Sequence, residues 1–294
     1  MHYLQCPVCS NKFISYSFSA QDHTMSKKVF EIWKCESCSL LFTQDAPQES
    51  EIGEYYKSPD YISHTESTAG LMNQAYHFIR NYTLRIKKKL IEKETGIAAG
   101  KLLDVGSGTG AFLHSMKKGG WQIAGIESDE DARNKASTLY NVVTKAPNEL
   151  RNFPDGHFDA VTMWHVLEHV HDLHEYVSTI RKLLDEKGKI FIAVPNYTSA
   201  DAEMYKEKWA AFDVPRHLYH FSPHSMNVLL AKHGLIIKKI KPMWFDSYYV
   251  SLLSERYKGG ENLLKAVISG TTSNIKSIVN SERSSSLIYI AEKI

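Results

Sequence analysis

The chain has 294 residues, of which 43% are hydrophobic and 23% are charged, and this composition excludes a disordered or collagen-like protein. A chain of this length suggests about two domains and buries a core without the help of disulfide bonds. Its 35 Lys and Arg and 33 Asp and Glu leave a formal charge of +2. The sequence therefore lacks the basic excess that is typical of dedicated nucleic-acid-binding proteins.

The sequence shows no pattern for membrane insertion or export. No apolar run approaches the roughly 20 residues needed to span a bilayer, and the start, MHYLQCPVCS, lacks the charged and then apolar pattern of a signal peptide. All four cysteines lie between Cys6 and Cys38, as a local group rather than a disulfide framework. We therefore expect a protein of the reducing cytoplasm with no membrane partner.

The start of the chain divides into two segments of different character. Residues 1–45 hold the cysteines and alternating aromatic residues, which predict a small β-rich module. Residues 46–70 are interrupted by Pro and Gly and predict a linker or a lid. The residues of this second segment that could cover a bound ligand are Tyr56, Tyr61 and His64.

A long helix is predicted next, because apolar residues between Leu71 and Leu90 recur at three- and four-residue spacing. We expect its basic residues to form a solvated face, with contact to phosphate or an anionic surface as the alternative. These basic residues are Arg85, Lys87, Lys88 and Lys89.

Residues 101–194 alternate short apolar runs with amphipathic stretches. The runs KLLDV, WQIAGI, NVV, FDAVTMW and KIFIAV predict strands, and helical patterns cover residues 112–118, 130–139 and 173–184. Such alternation predicts a parallel sheet with helices on both faces. The remaining predicted elements are a helix at 223–233, a strand at 235–240, helices at 245–258 and 261–268, a polar surface connection at 271–286 and a last strand at 287–291.

A glycine-rich turn joins the first of these strands to the next helix. The run DVGSGTG begins at Asp104, and its glycines allow a tight turn and close approach of a ligand to the backbone. Gly106, Gly108 and the following alanine fit a dinucleotide-binding pattern, and Glu127 lies at the position downstream where an acidic residue binds ribose hydroxyls. Asp104 would repel a pyrophosphate, however, and suits the cationic amino end of S-adenosylmethionine.

The turn resembles the first motif, DxGxGxG, of the class I S-adenosylmethionine-dependent methyltransferases. The resemblance includes IESDEDA at 126–132 and FPDGHFDAVTMWHVLEHV at 153–170, and it covers residues 71–294. It is strongest to a branch with a WHVLEHV segment, similar to small-molecule O-methyltransferases and enzymes of surface-glycan pathways. The resemblance implies a doubly wound, seven-stranded Rossmann-like sheet with an antiparallel last strand.

The same resemblance implies where the cofactor would bind. Asp104 and the glycines would lie under the methionine part, Glu127 would bind the ribose, and Asn148 and Glu149 would lie at the adenine edge. S-adenosylhomocysteine would be the product. The full set of expected cofactor-binding residues is Asp104, Gly106, Ser107, Gly108, Gly110, Glu127, Ser128, Asn148, Glu149, Trp164 and His165.

Histidines follow the fourth predicted strand and recur in a later insert. His165, Glu168 and His169 spell the HxxEH pattern of some zinc proteases, but a strand precedes them directly, so we do not expect a catalytic metal from this pattern. Methyl transfer to a hydroxyl requires removal of a proton, for which histidine is suited. The candidate catalytic residues are His217, which we favour as the base, His165 and His169.

The insert at residues 195–222 is rich in aromatic and basic side chains and predicts an acceptor pocket at the carboxyl edge of the sheet. The residues concerned are Trp209, Phe212, Arg216, Tyr219 and Phe221. Two histidines have structural alternatives: His169 could orient the loop through a backbone hydrogen bond, and His220 could be a packed residue of the insert.

Four cysteines form two CxxC pairs, CPVC at 6–9 and CESC at 35–38. Two such turns can direct four thiolates to one tetrahedral zinc ion, as in zinc ribbons. A site closed by four thiolates is structural rather than catalytic; a disulfide or redox pair is the alternative. The expected metal ligands are Cys6, Cys9, Cys35 and Cys38.

We therefore expect a methyltransferase that uses S-adenosylmethionine to modify a small-molecule or sugar-like acceptor, at oxygen. An RNA methyltransferase that docks through the zinc module is the second hypothesis, although residues 1–45 carry no basic excess. A binding protein with an inactive methyltransferase domain is the third. The intact turn and Glu127 argue against it.

Overall fold

The computed structural model describes residues 1–57, 71–260 and 263–294, with the side chains of residues 71–79 outside the description. Tyr61 and His64, two of the residues expected in a lid, therefore lie outside the described residues. Among the described residues, no helix combines the length and the apolar character required to cross a membrane.

The described residues form ten strands and eight α-helices. The strands are β1 (Ile14–Gln21), β2 (Val29–Cys35), β3 (Leu41–Thr43), β4 (Lys101–Val105), β5 (Gln122–Ile126), β6 (Phe158–Trp164), β7 (Leu184–Pro195), β8 (Tyr219–His220), β9 (Leu235–Pro242) and β10 (Ser286–Lys293). The helices are α1 (Leu71–Thr95), α2 (Ala111–Lys118), α3 (Glu130–Tyr140), α4 (Leu173–Leu183), α5 (Ala200–Tyr205), α6 (Pro223–Lys232), α7 (Asp246–Tyr257) and α8 (Leu263–Val279).

The central sheet has the strand order β5-β4-β6-β7-β10-β9. Its first four strands are parallel, and β10 runs antiparallel to both β7 and β9. On one face Leu103 and Val161 pack with side chains of α4 and α6, and on the other Leu102 and Ala160 pack with those of α1 and α2. The predicted doubly wound α/β fold with an antiparallel last strand is confirmed.

The described part of this sheet has six strands rather than the expected seven. The run NVV does not form a strand, because Asn141 adopts a left-handed conformation that ends α3 and Pro147 begins a short 3-10 helix. Between these two points the backbone makes a single parallel bridge, from Lys145 to Ile126. Where the seventh strand was expected, the described residues form only this one bridge.

The prediction of a polar surface connection at 271–286 is wrong over its first half, because α8 continues to Val279. Small residues form the buried face of this helix, among them Gly270 and Ser273. A Cβ atom on Gly270 would lie 2.7 Å from the Tyr248 ring of α7. Gly270 thus allows α8 to pack closely on α7, and the serines that suggested a loop include residues of the buried face of α8.

The N-terminal residues form a second sheet with the order β1-β2-β3-β8. Its last strand comes from the insert, where Phe42 pairs with Tyr219 and Leu41 with His220. The Thr43 hydroxyl also donates a hydrogen bond to the backbone oxygen of His217, at 2.7 Å. The β-rich module at residues 1–45 is therefore joined by hydrogen bonds to the insert at residues 195–222.

The aromatic residues of the insert are buried in this contact. Trp209 and Phe212 pack with β1 and β2, and Tyr219 and Phe221 pack near the cysteines. Trp209 and Phe212 also border a small recess. The insert thus supplies a packed wall beside the sheet, because the module covers these rings, and the acceptor pocket stays a prediction.

Candidate active site

The glycine turn lies at the carboxyl end of β4, where it enters α2. Gly106, Gly108 and Gly110 have φ angles of 71°, 54° and 80°, which favour glycine. The amides of Gly106 and Ser107 both donate to the backbone oxygen of Ile126, at 2.8 and 3.0 Å. A Cβ atom on Gly106 would lie 2.3 Å from Val166, so the turn is in close contact with the segment that follows β6.

Glu127 follows β5 directly and meets the turn through its buried carboxylate. Its Oε2 accepts a hydrogen bond from the Gly108 amide at 2.7 Å. Its Oε1 accepts from the Asp129 amide at 2.9 Å and from the Ser128 hydroxyl at 3.3 Å. The structure therefore brings together the turn, Glu127 and Ser128, as the sequence predicted.

Asp104 is buried at the end of β4 and accepts a hydrogen bond of 2.6 Å from the Thr162 hydroxyl. Burial raises the pKa of Asp104 to about 7, although Thr162 and Lys87 oppose this increase. Glu127 contributes further to it, because like charges disfavour ionisation. When ionised, Asp104 offers a buried negative charge to a cationic ligand at this edge of the sheet.

Lys87 reaches this region from α1, which corrects the expectation that it belongs to a solvated basic face. Its Nζ lies 4.2 Å from the centre of the Trp164 ring. Burial lowers the pKa of Lys87 to about 8, and the charges of Asp104 and Asp246 oppose that decrease. Helical periodicity indicated which residues share a face with Lys87 but not that this side chain turns toward the sheet.

His165 follows β6 with a positive φ of 58°, which turns its ring between two carboxylates. Nδ1 lies 3.2 Å from Glu168 Oε1, and Nε2 lies 2.8 Å from Asp246 Oδ2. Burial acts to lower the pKa of His165, but the charges and hydrogen bonds of Asp246 and Glu168 raise it to about 10. Asp246 begins α7, which is distant in the chain, and no motif in the sequence indicated its role.

His169 and His217 lie beside each other, with ring centres 4.6 Å apart. Burial, together with the charge of His217, lowers the pKa of His169 to about 4. The Tyr56 hydroxyl lies 2.9 Å from His169 Nδ1, so one of the three lid candidates reaches the site. The expected catalytic residues His165, His169 and His217 are therefore grouped around Glu168.

The neighbouring His220 does not join this group. It is buried, and its Nε2 lies 3.1 Å from the Thr43 hydroxyl. Burial holds the pKa of His220 well below its usual value. The alternative that His220 is a packed residue of the insert fits this position.

The expected adenine-edge residues lie in the 3-10 helix Pro147–Asn152, after the bridge to Ile126. Asn148 is exposed, and the Glu149 carboxylate lies 3.6 Å from Lys145 Nζ. The Glu127 amide donates to the Lys145 backbone oxygen at 2.9 Å. Both residues thus follow a segment that is hydrogen-bonded to Glu127.

The four cysteines lie together, with free thiols. The sulfur atoms of Cys6 and Cys38 are 3.5 Å apart, as are those of Cys9 and Cys35. All four sulfur atoms lie within 4.8 Å of one another. A disulfide needs about 2.0 Å between sulfurs, so the arrangement fits four thiolates around one tetrahedral ion instead.

A family model described as a methyltransferase domain matches residues 73–239. The demethylmenaquinone methyltransferase of Tropheryma whipplei (strain Twist) is 30% identical over 105 residues, which cover 34% of this chain and 44% of that protein. The ubiquinone biosynthesis O-methyltransferase of Glaesserella parasuis serovar 5 (strain SH0165) is 30% identical over 119 residues, or 37% of this chain and 50% of that protein. The chain spans half or less of the length of these curated relatives.

Solved structures share the fold at lower identity. Magnesium protoporphyrin IX methyltransferase from Synechocystis PCC 6803, solved with bound SAH, aligns with a TM-score of 0.55 and 13% identity over 84% of this chain and 100% of that chain. The cyclase SpnF aligns with a TM-score of 0.51 and 17% identity over 71% of this chain and 80% of that chain. Because a cyclase also has this fold, the activity must be argued from the site.

Alanine substitutions should have different costs at Gly106 and Gly108. A positive φ costs alanine about 1 kcal/mol at either position. At Gly106 the new Cβ would also overlap Val166, whereas nothing lies within 4 Å of a Cβ at Gly108. We expect Gly106→Ala to lower the free energy of unfolding by about 2–4 kcal/mol and Gly108→Ala by about 1 kcal/mol, measured by urea denaturation. Equal losses would contradict the close contact with Val166.

Proposed function

The chain belongs to the methyltransferase-domain family, and we propose that it transfers a methyl group from S-adenosylmethionine to an oxygen atom of a small-molecule or sugar-like acceptor. The observation that carries this proposal is the meeting of the glycine turn with two buried carboxylates, Asp104 and Glu127, at the carboxyl ends of β4 and β5. Open α/β sheets bind their ligands at this edge. The names of the two quinone-pathway relatives support a small-molecule acceptor.

The residues present fit this cofactor by charge and by shape. In our proposal the positive-φ glycines leave room for the methionine part of the cofactor. No protein atom lies within 4 Å of the position that a Cβ at Gly108 would occupy. The ionised Asp104 pairs with the cofactor's ammonium group, and the Glu127 carboxylate accepts hydrogen bonds from the ribose hydroxyls, assisted by Ser128. The adenine edge meets Asn148 and Glu149, while Trp164 and His165 border the methyl-bearing end.

Methyl transfer is an in-line displacement at the methyl carbon. The acceptor oxygen forms a bond to that carbon while the carbon–sulfur bond breaks, and the electron pair stays on sulfur to give S-adenosylhomocysteine. The hydroxyl proton must leave the acceptor. In our proposal the acceptor binds against the group formed by His165, His169 and His217, and His217 as the base stays a prediction.

Incubation with methyl-labelled S-adenosylmethionine and a fractionated cell extract tests this function. We expect the label in a small-molecule or glycan fraction that resists ribonuclease. Label in a ribonuclease-sensitive polymer would instead support an RNA methyltransferase, and no transfer despite cofactor binding would support a non-catalytic domain.

Paired variants connect that activity to the proposed site. Glu127→Gln should weaken cofactor binding about tenfold or more, because a charge-assisted hydrogen bond contributes about 1.5–3 kcal/mol. Glu130→Gln, the same change at an exposed position in the following helix, should leave affinity unchanged. Calorimetric titration with S-adenosylmethionine measures both, and equal affinities for the two variants would contradict the ribose contact.

Cofactor binding should depend on pH through Asp104. Its raised pKa of about 7 leaves part of the carboxyl groups protonated in the free protein, and a bound ammonium group would hold the carboxylate ionised. Binding below pH 7 must therefore release a proton, so affinity should increase about tenfold from pH 6 to pH 8.

Calorimetry across that pH range, with Asp104→Asn as the matched control, measures this effect. Titration of the cofactor's own amino group affects both proteins equally, whereas only the wild type carries the titrating carboxyl group. If the affinity of the wild type for the cofactor increases with pH no more steeply than that of Asp104→Asn, Asp104 is excluded as the partner of the ammonium group.

We also propose a structural zinc ion at Cys6, Cys9, Cys35 and Cys38, which suits the reducing cytoplasm that the sequence predicts. The ion would hold the ends of the hairpin formed by β1 and β2. In the same sheet β3 pairs with both β2 and β8, so it links the hairpin to the insert. Zinc sites of this kind contribute directly to folding. In this proposal the module stabilises the acceptor side of the enzyme.

Loss of zinc should therefore weaken the backbone hydrogen bonds between the module and the insert. We expect Cys35→Ser to release the ion and to speed hydrogen exchange in residues 41–43 and 219–220, measured by mass spectrometry. Ser37→Ala, in the same CESC turn, should retain zinc and normal exchange. Unchanged exchange in the zinc-free variant would show that the module and the insert are stable independently.

A further inference from the structure

We propose that Glu168, His169 and His217 form a binding site for a divalent transition-metal ion, distinct from the cysteine site. One ligand atom of each side chain lies within 4.8 Å of the others. In the sequence, the HxxEH pattern groups His165 with Glu168 and His169, and the strand directly before it argues against a zinc-protease site. The fold replaces His165 by His217, which the insert brings to the carboxyl end of β6.

Both imidazoles are held in the orientation that a metal ligand requires. His169 Nδ1 lies 3.0 Å from the backbone oxygen of Arg216, and His217 Nδ1 lies 2.8 Å from that of Ala211. A carbonyl oxygen only accepts hydrogen bonds, so each Nδ1 carries a hydrogen and Nε2 is the ring nitrogen that could bind an ion. Metal-binding histidines are oriented in this way by backbone carbonyl groups.

The Glu168 carboxylate supplies the third ligand. Glu168 is completely buried, and its Oε1 is paired with His165 Nδ1 at 3.2 Å. Its Oε2 is also buried and makes no hydrogen bond within the described residues. A buried oxygen without a hydrogen-bond partner destabilises the folded protein. A cation held by these three side chains would give the Glu168 oxygen a partner.

The ligand set indicates the type of ion. Two imidazoles and one carboxylate suit zinc, iron and related transition metals, whereas magnesium and calcium prefer oxygen ligands. Bonds of about 2.0–2.1 Å place tetrahedral ligand atoms roughly 3.3 Å apart, so small side-chain rotations would close the site. Three protein ligands leave a position open for another molecule, unlike the four thiolates of the cysteine site.

The open position gives the site a role in the proposed function, on which this part of the inference rests. Val166 touches Gly106 of the turn and Glu168 lies two residues further along, so the site borders the proposed cofactor. An acceptor hydroxyl bound to the ion would have a lowered pKa and lose its proton to solvent. The resulting oxygen anion would then attack the methyl carbon, and the acceptor would be a hydroxylated molecule able to coordinate a metal. In this inference His217 holds the ion and takes the place of the base predicted from the sequence.

Elemental analysis of the full-length protein, purified with zinc and dialysed, tests the site. We expect one ion at each of the two groups in the wild type. Glu168→Gln, which keeps the side-chain shape, and His217→Ala should each lose one ion and keep the other. Changes to outer-shell partners weaken metal binding about 10–100-fold, so loss of a direct ligand should weaken zinc affinity by at least that factor.

His171→Ala is the matched control, because this half-buried histidine lies near the site and contacts the backbone oxygen of Pro47 instead of the cluster. It should retain both ions. A measurement on the wild type avoids any dependence on the folding of variants. Cobalt(II) added to protein with zinc in the cysteine site should give ligand-field absorption without the intense sulfur-to-metal charge-transfer bands.

Three results would overturn the proposal: a wild type that holds only the cysteine-bound ion and binds no cobalt, variants that keep the second ion, or a His171→Ala control that loses it. Failure of the proposed function is separable from these results. A chain that transfers no methyl group to any acceptor would still show two ions if the metal site is real, and His217→Ala should still bind S-adenosylmethionine with wild-type affinity.

Discussion

A buried carboxylate at the carboxyl end of β6 is the constraint on which the arrangement of the site depends. Glu168 is removed from solvent, and a buried charge is tolerated only when it has compensating partners. His165 and His169 come from the same segment, but His217 comes from the insert. The backbone oxygen of Glu168 also accepts a hydrogen bond from Leu218, at 2.8 Å. Glu168 thus contacts both His165 at the end of β6 and Leu218 of the insert.

The N-terminal module contacts the insert that supplies His217. Thr43 contacts the insert through both its side chain and its backbone, since its amide donates to the Leu218 oxygen at 3.0 Å while its hydroxyl bonds to the His217 oxygen. The position of the His217 ring therefore depends on β3. The four-cysteine site is far along the chain from the glycine turn, and this dependence connects it physically to the proposed acceptor side.

Local patterns in the sequence predict most of the fold, and they identify the residues that we propose bind the cofactor. The glycine turn and Glu127 each follow a strand, and parallel strands bring their carboxyl ends to one edge. Lys87 and Asp246 were not predictable in this way, because their roles depend on how α1 and α7 approach the sheet. The extent of α8 was missed because its small polar residues are typical of loops, although here they form a helix-packing face.

The two groups of side chains that we propose as metal sites differ in the number of ligands and in their surroundings. Four thiolates saturate a tetrahedral ion, and buried partners such as Cys6 and Cys38 leave no position for a substrate. The cluster around Glu168 offers three ligands of mixed type beside the glycine turn. In our proposals, ligand number and position give the first group a structural role and the second a chemical role, and the hydrogen bonds of Thr43 connect them. In these proposals, disturbance of the module would lower reactivity through His217 before it affects the central sheet.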